Sequence, residues 1–425
     1  MTDTTAEAKG YLPQKIARLA PFTVDRGEGS WVVTTDGERY LDFVAGIGVT
    51  NTGHAHPKVV AAAQAQLGKM LHAQQNQFYH QPMLDLTERI IEITPDGIDK
   101  VFFASTGAEA VENACKIAKQ ATRRPGVIAF HNSFHGRTHY TMALTCSKVA
   151  QRGTYEPLAG SVYHAPFCYP FRTPAGENPT EWALAGLERL FINEIYPEDV
   201  AAIVLEPVQG EGGFIVPEKE WVQALRRLCD EHGICLIADE IQSGMGRTGT
   251  WFAMEHFGVV PDLITISKGI ASGLPVSVVA GRSELIESIR PGGLGGTFNG
   301  NVVACAAGVA TVDAMREEGM LANATRQGEK FRVFLDGLKA EYNVIGDARG
   351  IGLMNMIELV EPGTKKPNAA AAKALIGECV KRKLLVFGCC AQDQGVRFLP
   401  PINVSDDDLE FAFGVITEAA AAAWA

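Results

Sequence analysis

The chain has 425 residues, 46% hydrophobic and 20% charged, with 38 Lys+Arg against 49 Asp+Glu for a net charge of −11. That is ordinary for a soluble globular chain of two or three domains, and the negative balance argues against a broad nucleic-acid or anionic-membrane surface. Glycine, at 44 residues or about 10%, exceeds the usual ~7% and points to many tight loops between packed elements. Nine cysteines without a CxxC spacing do not make a disulfide scaffold. The opening Met1-Thr2-Asp3-Thr4-Thr5 has neither a secretion-signal nor a transit pattern, and uncharged apolar stretches such as Val302–Val312 fall short of the ~20 residues that span a bilayer. The expectation is a reduced, cytoplasmic protein.

In chain order, residues 30–43 alternate apolar and polar around Asp36-Gly37, a hairpin signal. A helix pattern follows from about residue 57 through Val59, Val60 and Leu67. The rhythm then changes to short apolar runs closed by polar residues or glycine. Val101–Ala104 ends at Ser105-Thr106-Gly107, Val127–Phe130 at His131, and Ala202–Leu205 at Glu206. Ile234–Ala238 ends at Asp239-Glu240, and Leu263–Ile266 at Ser267-Lys268. Runs without alternation suit strands buried on both faces of a parallel sheet, and helical stretches at 108–122 and 218–232 separate several of them. The sequence therefore predicts an α/β domain, followed over roughly the last hundred residues by a smaller α+β domain. In such sheets ligands bind beyond the carboxyl ends of the strands, so the closing residues are the first place to look for chemistry.

Ser105-Thr106-Gly107-Ala108 turns a strand into a helix whose free N–H groups can hold an anion; alone, this is as well explained by an ordinary capped helix. Asp239 and Lys268 close two apolar runs, 268 − 239 = 29 residues apart. An acid ending a buried strand needs a strong donor, and a buried lysine shifts its pKa readily, which suits Schiff-base chemistry. The bland reading of these two is a structural ion pair. Anion site, carboxylate and lysine together match the needs of pyridoxal phosphate (PLP): a covalent anchor, a partner for the pyridine nitrogen and a phosphate cradle.

Gly244–Gly249 fits GxGxxG, with Asp262 18 residues after Gly244, so an NAD-dependent dehydrogenase is the rival. The fingerprint should open a helix directly after its strand, yet Asp239–Ser243 intervenes beside two carboxylates. His54 and His56, and His131, His135 and His139, lack a convergent Cys or carboxylate set, so loop or core histidines are expected rather than metal ligands.

Several motifs in this order carry a family resemblance over nearly the full chain. They are Tyr40–Phe43 with Gly53–Pro57, Ser105–Ala110, Phe134–Thr138, Glu206-Pro207, Asp239–Gly244, Ser267–Gly269, Gly296–Phe298 and Arg397–Pro401. The chain resembles the class III (ω-amino acid) aminotransferases among fold-type I PLP enzymes, and within them the bacterial 4-aminobutyrate (γ-aminobutyrate) aminotransferases. The resemblance implies a large PLP-binding domain over residues 57–315, with a mostly parallel central sheet flanked by helices. A small α+β domain would come from both termini, residues 1–56 and 316–425. Lys268 would anchor the cofactor and shuttle a proton, Asp239 would pair with the pyridine nitrogen, and Gln242 would bond the ring hydroxyl. Ile241 and Phe134, where a Tyr is commoner, would cover the ring faces. Gly107 and Ala108, the latter in place of a commoner Ser, would hold the phosphate with Thr297 of a partner subunit, implying a homodimer or a dimer of dimers.

Substrate choice would rest on Ile47, Arg137, Glu206 and Arg397. Arg137 would bind the carboxylate far from the amine and Arg397 the α-carboxylate of glutamate or 2-oxoglutarate. Glu206 would neutralise Arg397 when an ω-amino substrate occupies the pocket. The implied reaction is ping-pong transfer from 4-aminobutyrate to 2-oxoglutarate, giving succinic semialdehyde and glutamate. Ornithine or N-acetylornithine aminotransferase is the alternative, disfavoured by the aliphatic Ile47.

Overall fold

The computed structural model describes residues 10–13, 15–16 and 18–424; residues 1–9 of the expected N-terminal segment lie outside the described residues. The closed apolar runs become strands of a seven-stranded sheet. Its order is Lys100–Ala104, Ser277–Gly281, Leu263–Ile266, Cys235–Asp239, Val200–Leu205, Gly126–Phe130 and Val162–Ala165. Every pairing is parallel except those of Ser277–Gly281, which runs against both neighbours. Two reversals leave Lys100–Ala104 running with the other strands, so the carboxyl ends that carry Ser105, His131, Glu206, Asp239 and Ser267 share one edge.

The continuous apolar runs have a simple cause: successive side chains point to opposite faces, and both faces are covered. Val127, Ala129, Ala202, Val204 and Ile237 pack with helix Gly107–Thr122 through Ala110, Val111, Ala114 and Ala118. The intervening Ile128, Phe130, Ile203, Leu205, Leu236 and Ala238 pack with helix Lys219–His232 through Trp221, Val222, Leu225 and Cys229. Trp221 is 1% exposed and meets Phe130 and Phe167 edge-on, so truncating it to Ala should cost about 3–5 kcal/mol. Gly233 ends that helix with φ 63°, where a side chain would be strained.

The two ends of the chain meet in one small sheet. Trp31–Thr34 and Arg39–Asp42 form the hairpin around Asp36-Gly37, and Leu384–Leu385 pairs parallel to Arg39–Asp42. A second sheet of Ile345–Ile351, Met354–Leu359, Gly395–Phe398 and Phe387–Cys389 is antiparallel throughout. Helices Met320–Glu341, Ala369–Lys381 and Asp406–Trp424 accompany it, and the alanine run 419–423 lies in the last of these.

Buried polar residues tie these sheets to the large one. Glu358, fully buried, accepts from Tyr169, from Arg172 and from Arg349 at 2.7 Å. Arg247 has no carboxylate among its hydrogen-bond partners: it donates to the carbonyls of Leu353 and Pro400 and to Asn51 Oδ1. Burial pushes Arg247 down to about 9, which still leaves it cationic at neutral pH. Among the described residues no helix is long and apolar enough to cross a membrane.

Candidate active site

Most of the residues singled out from the sequence converge at the carboxyl edge of the large sheet. A cavity of about 310 Å³ is lined there by Ile47, Gly107, Ala108, Phe134, Arg137, Glu206, Asp239, Ile241, Gln242 and Lys268, together with His135 and Glu211. That volume is in the range of small-ligand pockets.

One wall is the start of helix Gly107–Thr122. Thr106 caps it by accepting from the Glu109 N–H, and Glu109 accepts in return from the N–H groups of Ser105 and Thr106. Capped helix and anion site are thus compatible here: the cap leaves Gly107 and Ala108 lining the cavity. A Cβ at Gly107 would lie 2.9 Å from Ile241 Cδ1 and would push that side chain aside. On the other side, Ala45, Gly46, Ile47 and Gly48 all have positive φ, a tight coil that brings Gly46 and Ile47 to the cavity.

The floor is Asp239 and Lys268. Register places Asp239 beside Thr265, and its carboxylate accepts from Thr265 Oγ1 at 3.1 Å, the Ile241 N–H at 3.2 Å and His135 Nδ1 at 2.7 Å. The ion pair with Lys268 envisaged as the bland reading is not formed. His135 is buried with its Nε2 unpartnered. Burial opposes the imidazolium, but the hydrogen bond and charge of Asp239, with Glu206 behind, outweigh it and raise the His135 pKa.

Lys268 follows Leu263–Ile266 with φ 44°, a left-handed conformation uncommon for a non-glycine residue and typical of functional sites. Burial of its amine, then the nearby Arg397, push its pKa down to about 8. Gln242 donates weakly to the Ile47 carbonyl at 3.4 Å and leaves its buried Oε1 without a partner. Arg137 lies over the Phe134 ring at 5.2 Å.

The expected Glu206–Arg397 pair is absent. Glu206 is held on the strand edge by the N–H groups of Phe134 at 2.7 Å and Gly210 at 2.9 Å, and burial raises its pKa to about 7. Arg397 instead binds Glu211, Nη2 to Oε2 at 2.9 Å. The turn through Gly210 carries Glu211 across to strand Gly395–Phe398. Arg397 is 1% exposed, and its Nε and Nη1 have no acceptor among the described residues. Thr297 lies exposed on the 291–300 loop and does not line this chain's cavity.

Sequence reasoning missed Glu211 and set His135 aside as a loop or core histidine. The signal for His135 was its place in Phe134–Thr138, between two residues singled out for the pocket. The rival Gly244–Gly249 motif opens no helix: it forms turns, with Arg247 buried at the seam between sheets.

The family model for aminotransferase class-III matches residues 13–420. The chain belongs to the class-III aminotransferases. Members of this family depend on PLP, and so does this enzyme. It is 42% identical over 408 residues to the 5-aminovalerate aminotransferase DavT of Pseudomonas putida, covering 96% of this chain and 95% of that protein. It is also 42% identical to the 4-aminobutyrate aminotransferase GabT of Escherichia coli K12, again covering 96% and 95%. Among solved structures, a transaminase from the marine bacterium Virgibacillus superposes with a TM-score of 0.92 at 26% identity, covering 99% of this chain and 98% of that one. The fold is that of the fold-type I PLP transaminases.

The cavity fits the cofactor. Gln242 Oε1 has no partner among the described residues, a Cβ at Gly107 would crowd Ile241, and Asp239 shares the cavity with a lysine of lowered pKa.

Proposed function

We propose that this aminotransferase passes the amino group of 4-aminobutyrate to 2-oxoglutarate in a ping-pong cycle, releasing succinic semialdehyde and then glutamate. The observation that carries this reading is Arg397, a buried guanidinium with Nη2 on Glu211 and two nitrogens unused. With Glu211 in place the pair is neutral, and Arg137 is the guanidinium that lines the cavity for a donor with a single carboxylate. With Glu211 withdrawn, Arg397 presents a fork for the α-carboxylate of glutamate or 2-oxoglutarate.

When bound, PLP supplies an electron-withdrawing ring that stabilises negative charge on the substrate carbon. Gly107 and Ala108 would hold its phosphate through backbone N–H groups, Asp239 its ring nitrogen and Gln242 its ring hydroxyl, with Phe134 and Ile241 on the two faces. His135, donating from Nδ1, keeps the Asp239 carboxylate oriented. Lys268 Nζ would carry the proton from the substrate carbon across to the cofactor, for which a pKa near 8 is suited at neutral pH.

We take residues 57–315 as the cofactor-holding domain and residues 1–56 and 316–425 as the small one. A second copy of the chain is part of this reading. Leu67, Met70, Leu71, Phe78, Tyr79 and Phe298 are exposed apolar side chains around the loop that carries Thr297, and such a face marks a protein contact. It would let Thr297 reach the partner's phosphate site.

5-Aminovalerate is the second donor reading, because the Pseudomonas relative named for it is as similar as the Escherichia one. One methylene is worth only about 1–3 kcal/mol of discrimination. The test is the cofactor's spectral change on mixing the yellow holoenzyme with 4-aminobutyrate, 5-aminovalerate, ornithine or N-acetylornithine. 4-Aminobutyrate should react fastest. Faster conversion of 5-aminovalerate selects the second reading, and faster conversion of ornithine or N-acetylornithine overturns both.

A further inference from the structure

The Glu211 carboxylate is shared. While Oε2 meets Arg397 Nη2 at 2.9 Å, Oε1 lies 3.2 Å from Lys148 Nζ. Lys148 also binds Asp393 at 2.6 Å. The four groups form a chain of alternating charge, Asp393–Lys148–Glu211–Arg397. Its side chains run from 74% exposed at Asp393, through 19% and 17%, to 1% at Arg397. Lys148 comes from the segment after helix His139–Leu144, and Asp393 from the turn before strand Gly395–Phe398.

The main chain around Glu211 is fixed. Its carbonyl accepts from the Cys390 N–H at 3.0 Å, and the Gly213 carbonyl accepts from Arg349 Nε at 2.7 Å. Only the side chain is free to move. A dicarboxylate that engages Arg397 must displace a carboxylate that is only 17% exposed, where an unpaired charge is strongly disfavoured. A cation already on the other oxygen removes that cost, because a small rotation trades Arg397 for Lys148.

We infer that Lys148 is a positioning residue that receives the Glu211 carboxylate whenever a dicarboxylate takes Arg397. This deepens the two-arginine reading above and rests on it. Lys148 then weighs most on one class of ligand: it touches Glu211 in the paired state as well, but with Arg397 open it is the cation left to that carboxylate.

The test is calorimetric binding of two unreactive acids to the holoenzyme, glutarate with two carboxylates and butyrate with one. K148M and K148Q should raise the glutarate Kd about tenfold, inside the usual span of coupling between two states, and leave butyrate within about twofold. K148R, which keeps the charge, should restore most of the glutarate affinity. Equal weakening of both acids, unchanged glutarate binding in K148Q, or no rescue by K148R would overturn the inference. A wild-type enzyme that binds butyrate but not glutarate would overturn the two-arginine reading itself, and the inference with it.

Discussion

Asp239 lines the cavity and Arg397 stands behind Glu211 of its lining; the two carry opposite charges and are built on different plans. Asp239 ends a central strand, and its three donors come from the neighbouring strand, the residue two positions on and the loop bearing His135. Arg397 sits on a strand of another sheet, meets an acid from a loop of the large sheet, and leaves two donors unused. The first site is braced by three donors on a single scaffold, with acceptor capacity left on Oδ2. The second is left open, with an exchangeable partner. A group that serves both half-reactions benefits from rigidity, whereas a group that meets substrates of different charge must be able to change partners.

Substitutions on the braced side should give the largest effects and treat both substrates alike. Lys268→Ala should reduce turnover by at least ~10⁴-fold, since it removes the proton carrier as well as the covalent anchor. Asp239→Asn should cost about 10²–10³-fold, the scale of losing one preorganised electrostatic group. Single-turnover rates with 4-aminobutyrate and with glutamate should fall by the same factor in each variant; a strong bias toward one would break the contrast between the two sides.

On the open side the expected signature is bias. Glu211→Gln should shift the ratio of kcat/KM for glutamate over 4-aminobutyrate upward by about 5–150-fold, because Arg397 then stays uncompensated beside the ω-amino donor. Glu206→Gln, whose side chain serves the Phe134 and Gly210 N–H groups, should move both substrates together. The reverse pattern would return the role to Glu206.

The smallest effect is on pH dependence. A lysine pKa lowered to about 8 means that the neutral, reactive amine predominates above that pH. Uptake of PLP by the apoenzyme should therefore rise with pH with a midpoint near 8. A midpoint near the ordinary lysine value of ~10.4 would show that the floor is wetter than its geometry implies.

Much of the site was legible because its chemistry sits where apolar runs stop. Asp239 and Lys268 stand out in the sequence since a buried parallel strand has no other reason to end in a charge, and the Asp36-Gly37 hairpin is set by local turn chemistry. What stayed hidden depends on tertiary course. Nothing local shows that Ser277–Gly281 inserts antiparallel between two parallel neighbours. Glu206 and Glu211 are five residues apart, and which of them reaches Arg397 is decided by the Gly210 turn and by the Cys390 N–H that holds it. His135 could not be told from a core histidine until the sheet placed Asp239 against it.

Arg247 has a consequence for how ligands come and go. Its guanidinium is shared among Asn51, Leu353 and Pro400, segments far apart in the chain, and no acid accompanies it. Prising those segments apart would strip a buried cation of its acceptors without supplying a counter-ion. It works as a pin through the seam: opening the frame there is costly, whereas moving a side chain at the pocket leaves these bonds intact.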